Sequence, residues 1–411
     1  MRLINVFNIS LRALARSKIR TFLTVLGVLV GISSVTIIIS AGDSVEKLIF
    51  EQIEGFGSNY VQTEVRVPKG SGGATSQVQG VVISTLKEKD RQDFLDLDNI
   101  DKAYGAVITQ DIISWQGEIN KVMIYGVGSE YIDIDSTEID QGRFYTEEED
   151  NSLARVIVLG AKVKDDLFGS SDAIGQNVKI NKLSFKVVGV AKPRGAMFTF
   201  DLDDMAYIPV KTTQKVLMGI DYLAAITSRL KDSSKEEETT EQMRQVLREN
   251  HDIENPDKDD FEVMSATEIK DMMSTILGGV TILLVVLAGL SLIVGGVGIM
   301  NIMYATVAER TFEIGLRKAV GASPKSILQQ FLIESIIITF LGGFFGIILG
   351  IIVIYLVYLA ANYYGMSWTF SLSWAGVILS IGFSASIGLI FGLYPARKAA
   401  ELDPIAALRK E

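Results

Sequence analysis

The sequence predicts an α-helical integral membrane protein with four transmembrane helices and a mixed α/β extracytoplasmic domain between the first and second helices. Three observations lead to this fold class. Four long apolar segments can each cross about 30 Å of hydrocarbon, which takes roughly 20 residues. A charged segment of soluble character separates the first of them from the other three. The Lys and Arg residues near the segment ends are distributed unevenly, and this assigns the two sides of the membrane.

The four apolar segments are the predicted transmembrane helices. They cover 21–42, 274–307, 327–361 and 374–394, and the third contains one charged residue, Glu334. The first segment is too long for a signal-peptide core, and no clear cleavage site precedes Asp43, so we expect it to stay in the membrane. The third is longer than the bilayer is thick, so it must tilt, extend beyond the membrane or bend near its Gly-Gly pair.

The positive-inside rule places both termini in the cytoplasm. Lys and Arg precede the first segment, follow the fourth and lie in the 308–326 loop, whereas the 362–373 loop has neither. We therefore expect a multi-pass protein of the cell (plasma or inner) membrane, with domain 43–273 and the 362–373 loop outside. Apolar residues at helical spacing within 1–20 predict a cytoplasmic amphipathic helix on the membrane surface. A disordered basic leader is the alternative.

The 43–273 domain is acidic, with 26 Lys and Arg residues against 43 Asp and Glu residues. This charge argues against nucleic-acid binding, which needs a basic surface. Alternating apolar residues predict strands at 60–67, 121–127, 155–159, 178–180, 185–190, 224–230 and 261–264. A helix at 234–249 completes a β-α-β unit, residues 181–184 predict a hairpin, and the first helix is expected to continue over 43–54. The Gly- and Ser-rich segment 69–79 predicts a flexible loop.

Catalytic and metal-binding motifs are missing from this sequence. It has no cysteine, so disulfides and thiolate metal sites are excluded. Its single histidine, His251, lies in a polar stretch and is predicted to be a solvated loop residue. The acidic run 147–150 lacks the ligand spacing of a calcium loop and predicts a solvated helix start. A phosphate-binding loop is also missing, so the chain is not expected to be an ATPase or another enzyme.

Glycines four residues apart predict close packing between membrane helices. They are Gly27 and Gly31 in the first segment, Gly342, Gly346 and Gly350 in the third, and Gly388 and Gly392 in the fourth. For the two pairs, the general frequency of glycine in membrane helices is an equally good explanation. Glu334 lies near the inner end of its segment, where it is either paired structurally or takes part in coupling.

The 308–326 loop is the most informative segment. It predicts a short helix ended by Gly321, followed by a new helix start at Ser323-Pro324. Charged residues surround an expected apolar core, formed by Phe312, Ile314, Leu316 and Val320. A rigid amphipathic segment of this kind suits docking to another protein, and a helix resting on lipid is the alternative.

The stretch from Glu309 to Ala322, Glu-Arg-Thr-Phe-Glu-Ile-Gly-Leu-Arg-Lys-Ala-Val-Gly-Ala, resembles the signature of the FtsX-like permeases, specifically the MacB-like branch of ABC transporters. Three further stretches carry the same resemblance, namely Phe331–Glu334 with Leu341-Gly342-Gly343, Tyr394–Ala400 and Asp403–Arg409. The resemblance covers essentially the whole chain.

The resemblance implies a permease subunit that works as a homodimer or a permease pair. It implies a porter part with an inserted β-rich part at about 100–200, a separate ABC ATPase subunit that holds ATP and Mg²⁺, and no cofactor on this chain. The 308–326 loop would be the coupling helix. The residues expected to contact the ATPase or to shape this loop are Glu309, Arg310, Phe312, Glu313, Gly315, Arg317, Lys318 and Gly321.

The resemblance also implies mechanotransmission, in which ATP-driven dimerisation of the ATPase moves the helices and reshapes the outer domains. Export or efflux with an extracytoplasmic adaptor protein is the expected function, and membrane lipid is a further expected partner. Two alternatives use the same machinery: a lipoprotein-releasing permease, and an FtsX-like signalling complex that activates cell-wall hydrolases. Cell-division members usually have a smaller outer domain, which disfavours the second alternative.

Overall fold

The computed structural model describes residues 18–54, 59–68, 82–197, 200–363 and 368–408. The predicted amphipathic helix at 1–20 lies almost entirely outside these residues. The predicted flexible loop 69–79 and part of the 362–373 loop also lie outside them. The chain divides into two compact units: a helical unit, Met1–Leu48 with Ser274–Glu411, and an intervening domain, Ile49–Met273.

Twelve α-helical segments occur in the described residues. They are α1 (Lys18–Glu54), α2 (Glu88–Leu95), α3 (Tyr131–Ile134), α4 (Glu147–Asn151), α5 (Ala161–Phe168), α6 (Val210–Thr212), α7 (Glu236–Asn250), α8 (Ala266–Glu309), α9 (Thr311–Ala319), α10 (Pro324–Tyr363), α11 (Trp374–Glu401) and α12 (Pro404–Leu408). Four of these, α1, α8, α10 and α11, are long and apolar enough to cross a membrane. The predicted fold class of four transmembrane helices with a mixed α/β domain is confirmed.

The intervening domain is built on one mixed sheet. Its strands are β1 (Tyr60–Val65), β2 (Ile100–Trp115), β3 (Glu118–Val127), β4 (Ile139–Gly142), β5 (Val156–Leu159), β6 (Asn177–Ile180), β7 (Leu183–Ala191), β8 (Ala196–Met197), β9 (Phe200–Asp201), β10 (Met205–Pro209), β11 (Ala225–Leu230) and β12 (Phe261–Ser265). Ten of them form the sheet in the order β12-β1-β11-β2-β3-β10-β5-β7-β4, with β6 paired to β2 and β7. The remaining two, β8 and β9, pair with each other.

The predicted β-α-β unit is present as β11, α7 and β12. Both strands pair antiparallel to β1, one on each side of it, so they run in the same direction. The connecting helix α7 buries Met243 and Leu247 in a core that also contains Phe94 of α2 and Phe261 of β12. Apolar contacts between this helix face and the sheet therefore close one end of the domain.

The longest strand, β2, is missing from the sequence prediction. Its hairpin with β3 turns at Gln116 and Gly117, whose φ angles of 48° and 99° give the left-handed pair that two-residue hairpins favour. The predicted hairpin between β6 and β7 is present, with its turn at Asn181 and Lys182. Because β2 joins the β1–β11 part of the sheet to the β3–β10 part, no break in the sheet marks the predicted inserted part, and its bounds stay a prediction.

The glycine triplet of α10 faces α1. A Cβ atom at Gly346 would lie 2.8 Å from the carbonyl oxygen of Leu29, and one at Gly342 would lie 2.8 Å from Cβ of Val28. A Cβ atom at Gly350 would lie 2.9 Å from Cβ of Thr36. Because real Cβ atoms do not approach this closely, the separation of the two helices depends on these three glycines.

The two glycine pairs also lie at helix contacts. Those of α1 face α8, and those of α11 face α10. The contacts are Gly27 with Gly295, Gly31 with Leu292, Gly388 with Thr339, and Gly392 with Ser335. Each of the four membrane helices therefore approaches a neighbour through a glycine.

A row of buried hydroxyl residues on α1 adds polar contacts to this packing. Thr36 Oγ1 lies 3.0 Å from Ser380 Oγ of α11, and Ser40 Oγ accepts a hydrogen bond of 3.3 Å from the backbone N–H of Ser373. Such bonds between membrane helices are worth about 0.6–2 kcal/mol each. This row is not among the features predicted from the sequence, although its spacing of three or four residues places it on one helix face. Its members are Ser33, Thr36, Ser40 and Ser44.

His251 is buried in an ion-paired cluster, so the prediction of a solvated loop residue is wrong. Its side chain is 4% exposed, with Nδ1 2.7 Å from Asp260 Oδ1 and Nε2 3.5 Å from Asp90 Oδ2. Burial by itself lowers the pKa of His251, but the hydrogen bonds and charges of the two aspartates outweigh it and raise the pKa from 6.5 to about 9. The cluster ties the end of α7 to the start of α2 and to the residue before β12.

Replacing Gly346 by Ala is expected to destabilise the helical unit by about 1–3 kcal/mol, because the new methyl group must push α10 away from Leu29. Unfolding of the purified chain in SDS, followed by circular dichroism, measures the effect. Gly382→Ala is the matched control, since a Cβ there meets no atom within 4 Å. Equal stability of the two variants would contradict the assigned α1–α10 contact.

Raising the pH is expected to weaken the intervening domain through His251. Because the folded pKa of about 9 exceeds the unfolded value near 6.5, the stabilisation is complete below pH 6.5 and is lost as the pH rises through about 9. Between pH 7 and 9.5 the unfolding midpoint should fall on the order of 4 °C more in the parent protein than in His251→Gln.

Trp115 fluorescence reports this transition in a background that carries Trp368→Phe and Trp374→Phe, because Trp115 is the tryptophan of the intervening domain. An identical pH dependence with and without the imidazole would show that the cluster does not hold a charged histidine.

Candidate functional site

The 308–326 loop forms a short helix, α9, between two long ones. Arg310 alone separates it from α8, and Gly321, with a φ angle of 102°, follows its end. Ser323 Oγ then accepts a hydrogen bond of 3.3 Å from the backbone N–H of Ser326, while Pro324 opens α10. The predicted helix, its glycine stop and the new helix start are therefore all present.

One side of α9 packs against the C-terminal segment. Ile314 and Gly315 are buried, and a Cβ at Gly315 would lie only 2.7 Å from Cβ of Ala407 in α12. Lys318 Nζ donates hydrogen bonds of 2.8 Å and 2.5 Å to the carbonyl oxygens of Ala400 and Leu402. These contacts join the loop to the end of α11 and to α12.

The same loop is tied to α10 by two polar contacts. Arg317 donates hydrogen bonds of 2.7 Å to Gln330 Oε1 and 2.5 Å to Glu313 Oε1. Arg310 Nη1 lies 3.4 Å from Glu334 Oε2, and the Glu334 side chain is 3% exposed. Glu334 is therefore paired, as the first of its two alternatives predicts, and its partner Arg310 belongs to the loop itself, so a part in coupling stays a prediction.

The opposite side of α9 is exposed. Phe312, Leu316 and Val320 are 55%, 49% and 83% exposed and lie four residues apart, on one side of the helix. The expected apolar core of the loop is therefore wrong for these three residues, and of the four only Ile314 is buried. Glu309 and Glu313 are also exposed. We call these five residues the exposed face of α9, although Glu309 is the last residue of α8 and Val320 directly follows α9.

The eight residues assigned to coupling thus separate by position. Glu309, Phe312 and Glu313 belong to the exposed face, and Gly321 lies at the turn that follows it. Four others contact the rest of the chain: Arg310, Gly315, Arg317 and Lys318. Leu316 and Val320 are not among the predicted site residues. Their four-residue spacing from Phe312 is the signal that could have found them.

A polar cleft in the intervening domain is lined mostly by side chains that are engaged with one another. Three of its four carboxylates are ion-paired, Asp101 with Arg229, Asp133 with Lys102 and Glu130 with Arg91. Within the described residues, no group of three or more His, Asp or Glu side chains is placed to hold a metal ion. The exposed face of α9 therefore remains the candidate site.

Comparison with known proteins bears on this loop and on the domain. A family model described as the MacB-like periplasmic core domain matches residues 21–246, and one described as the FtsX-like permease C-terminal matches residues 285–404. The second match contains α9 and its polar partners Gln330, Ala400 and Leu402, whereas Ala407 lies beyond the matched range.

Curated relatives match nearly the whole chain. The macrolide export ATP-binding/permease protein MacB of Bdellovibrio bacteriovorus is 34% identical over 97% of this chain and 61% of its own length. The protein of the same name from Chlorobaculum tepidum is 37% identical over 97% of this chain and 60% of its own length. The chain thus spans about 60% of the length of these relatives.

Among solved structures, the periplasmic region of MacB from Actinobacillus actinomycetemcomitans is 24% identical, with a TM-score of 0.45. The structural match covers 55% of this chain and 97% of that periplasmic region. The first family model alone matches more than half of the chain. Together with the second model and the curated relatives, it shows that this chain belongs to the FtsX-like permease family, in its MacB-like branch.

Proposed function

We propose that this chain is the permease subunit of an ABC transporter, in which a separate ATPase subunit holds ATP and Mg²⁺. ATP hydrolysis there would move the extracytoplasmic domain of this chain by mechanotransmission and so drive export. The observation that carries the proposal is the exposed face of α9, an apolar row on a short helix whose other side is fixed to the chain. Family membership supports the ATPase as the partner.

The exposed face has the composition of a docking surface. Phe312, Leu316 and Val320 offer apolar area, and Glu309 and Glu313 lie at its edge. Binding energy in protein interfaces is concentrated in a few apolar or aromatic side chains that a polar rim surrounds. Arg310, Arg317 and Lys318 are engaged within the chain, so we assign the contact to the apolar row rather than to these three basic residues.

The connections of α9 support transmission of movement. Arg310 is the only residue between α9 and α8, and α8 extends from Ala266 in the intervening domain to Glu309 in the helical unit. The Arg317–Gln330 and Arg310–Glu334 contacts connect the loop to α10. A displacement of α9 therefore has a covalent route to the intervening domain and a hydrogen-bonded route to α10.

The membrane helices offer little support for a polar substrate path between them. Glu334, the charged residue within the predicted third span, is paired with Arg310. The buried hydroxyl row on α1 makes hydrogen bonds within the bundle, including those of Thr36 and Ser40. We therefore propose that cargo moves along the extracytoplasmic domain rather than between these helices.

Further partners and the orientation belong to the same proposal. We place both termini and α9 in the cytoplasm, because basic residues are concentrated at that end of the helices. A second permease copy, giving a homodimer, an extracytoplasmic adaptor protein and membrane lipid are the remaining proposed partners.

Replacing Val320 by Asp is expected to weaken binding of the ATPase at least about tenfold, because a charged group would be buried against an apolar contact. Co-purification in detergent of the chain with the ABC ATPase subunits of the same organism measures this change. Val82→Asp is the matched control, since Val82 is 72% exposed in the intervening domain.

Loss of the ATPase from the Val320 variant but not from the Val82 variant would support docking at the exposed face. An ATPase that binds both variants as it binds the parent chain would place the docking surface elsewhere. If the parent chain itself recovers no ATPase, the proposed function fails.

A further inference from the structure

We infer that residues Leu402–Leu408 form a C-terminal brace that holds α9 in the orientation needed for docking, with Gly315, Lys318 and Ala407 as its positioning residues. The inference rests on the proposed function, because the orientation of α9 matters only if its exposed face docks a partner. Two independent contacts carry it.

The first contact is a cap that Lys318 places on α11. The last carbonyl groups of a helix have no partner within the helix and form the negative end of its dipole. Lys318 Nζ donates to the carbonyl of Ala400, in the last turn, and to that of Leu402, the residue after the helix. One ammonium group from α9 therefore satisfies a carbonyl in the last turn of α11 and the carbonyl of the residue that follows this helix.

The second contact is the close approach of Gly315 to Ala407. The nearest atom to an added Cβ is Cβ of Ala407 at 2.7 Å, whereas the next atoms, in Ala407 and Leu408, lie at 3.5 Å. A single methyl group therefore decides whether a side chain fits on α9 at this position. Replacing Ala407 by Gly should therefore make room for a methyl group at position 315.

The brace itself is held in place by local contacts. Asp403 Oδ1 accepts a hydrogen bond of 2.9 Å from the backbone N–H of Ile405, and the Asp403 carbonyl accepts one of 2.9 Å from Ala407. Leu402 packs against the core of the helical unit. The five-residue helix α12 thus has a cap at its start, and Leu402 before it is anchored by apolar contacts. It can therefore hold α9 on the side opposite the exposed face.

The brace also gives the loop a third connection. The Arg310 peptide links α9 to α8, the Arg317–Gln330 hydrogen bond links it to α10, and Lys318 links it to Leu402 of the brace as well as to Ala400 of α11. Without the brace, the residues of the exposed face would be unchanged, but the orientation of α9 relative to α10 and α11 could vary.

Amide hydrogen exchange of the full chain in detergent tests the brace without any partner. Gly315→Ala is expected to speed exchange within Thr311–Ala319 about tenfold, because the new methyl group meets that of Ala407. The double variant Gly315→Ala with Ala407→Gly should return to the parent rate. Gly298→Ala is the matched control, since a Cβ there meets no atom within 4 Å.

Parent-like exchange in Gly315→Ala, or a double variant that exchanges as fast as the single one, would overturn the brace. Lys318 provides a second test that adds no bulk. Lys318→Met should speed exchange in the same helix, whereas Lys318→Arg, which can still donate to two carbonyls, should not. Equal exchange in these two variants would also overturn it.

ATPase co-purification with the same variants separates the two proposals. Loss of the ATPase in Gly315→Ala, with recovery in the double variant, would support positioning. Parent-like ATPase binding in a variant with fast exchange would overturn the positioning role. Failure of the parent chain to bind the ATPase would overturn the proposed function and with it the positioning role, whereas the exchange rates would still decide whether the C-terminal segment holds α9.

Discussion

The close approach of α10 to α1 is the constraint on which the helical unit depends. Three glycines one turn apart bring the backbone of α10 against Leu29 and its neighbours, and no larger residue fits there. The hydrophobic effect does not distinguish lipid from protein inside a membrane, so helix association relies on this kind of packing and on hydrogen bonds. Thr36 uses both, since it faces Gly350 and lies within hydrogen-bonding distance of Ser380 of α11.

The loop helix α9 shows how a short element gains a defined orientation. Nine residues are too few for a stable helix in isolation, because nucleation is costly and few hydrogen bonds follow. Here α9 is held by the chain itself at Arg310, by α10 through Gln330 and by the C-terminal segment through Lys318. Its basic side chains are used for these contacts, which leaves apolar and acidic residues to face outward.

Much of this fold could be predicted because its signals are local in the sequence. Apolar length alone indicates the four long helices, and Gly321 with Ser323-Pro324 indicates both ends of the loop segment. The role of His251 could not be predicted, because the cluster that buries it includes Asp90, which lies 161 residues away, as well as the nearby Asp260. The two sides of α9 could not be assigned either, since burial of Gly315 depends on Ala407. Strand β2 escaped prediction because its burial changes along its length rather than alternating throughout.

The pairing of β1 has a consequence for how the intervening domain is made. β1 lies near the start of the domain, yet its partners are β11 and β12, so Tyr60 pairs with Arg229 and Val61 with Ser265. Contacts of such long sequence separation form slowly, because a long loop must close before they stabilise anything. During synthesis, both edges of β1 therefore stay unpaired until β11 and β12 have left the ribosome, when almost the whole domain has been made. By then α8, which begins directly after β12, is the next segment to enter the membrane, so closure of the sheet and insertion of the second span are successive events in the biogenesis of the chain.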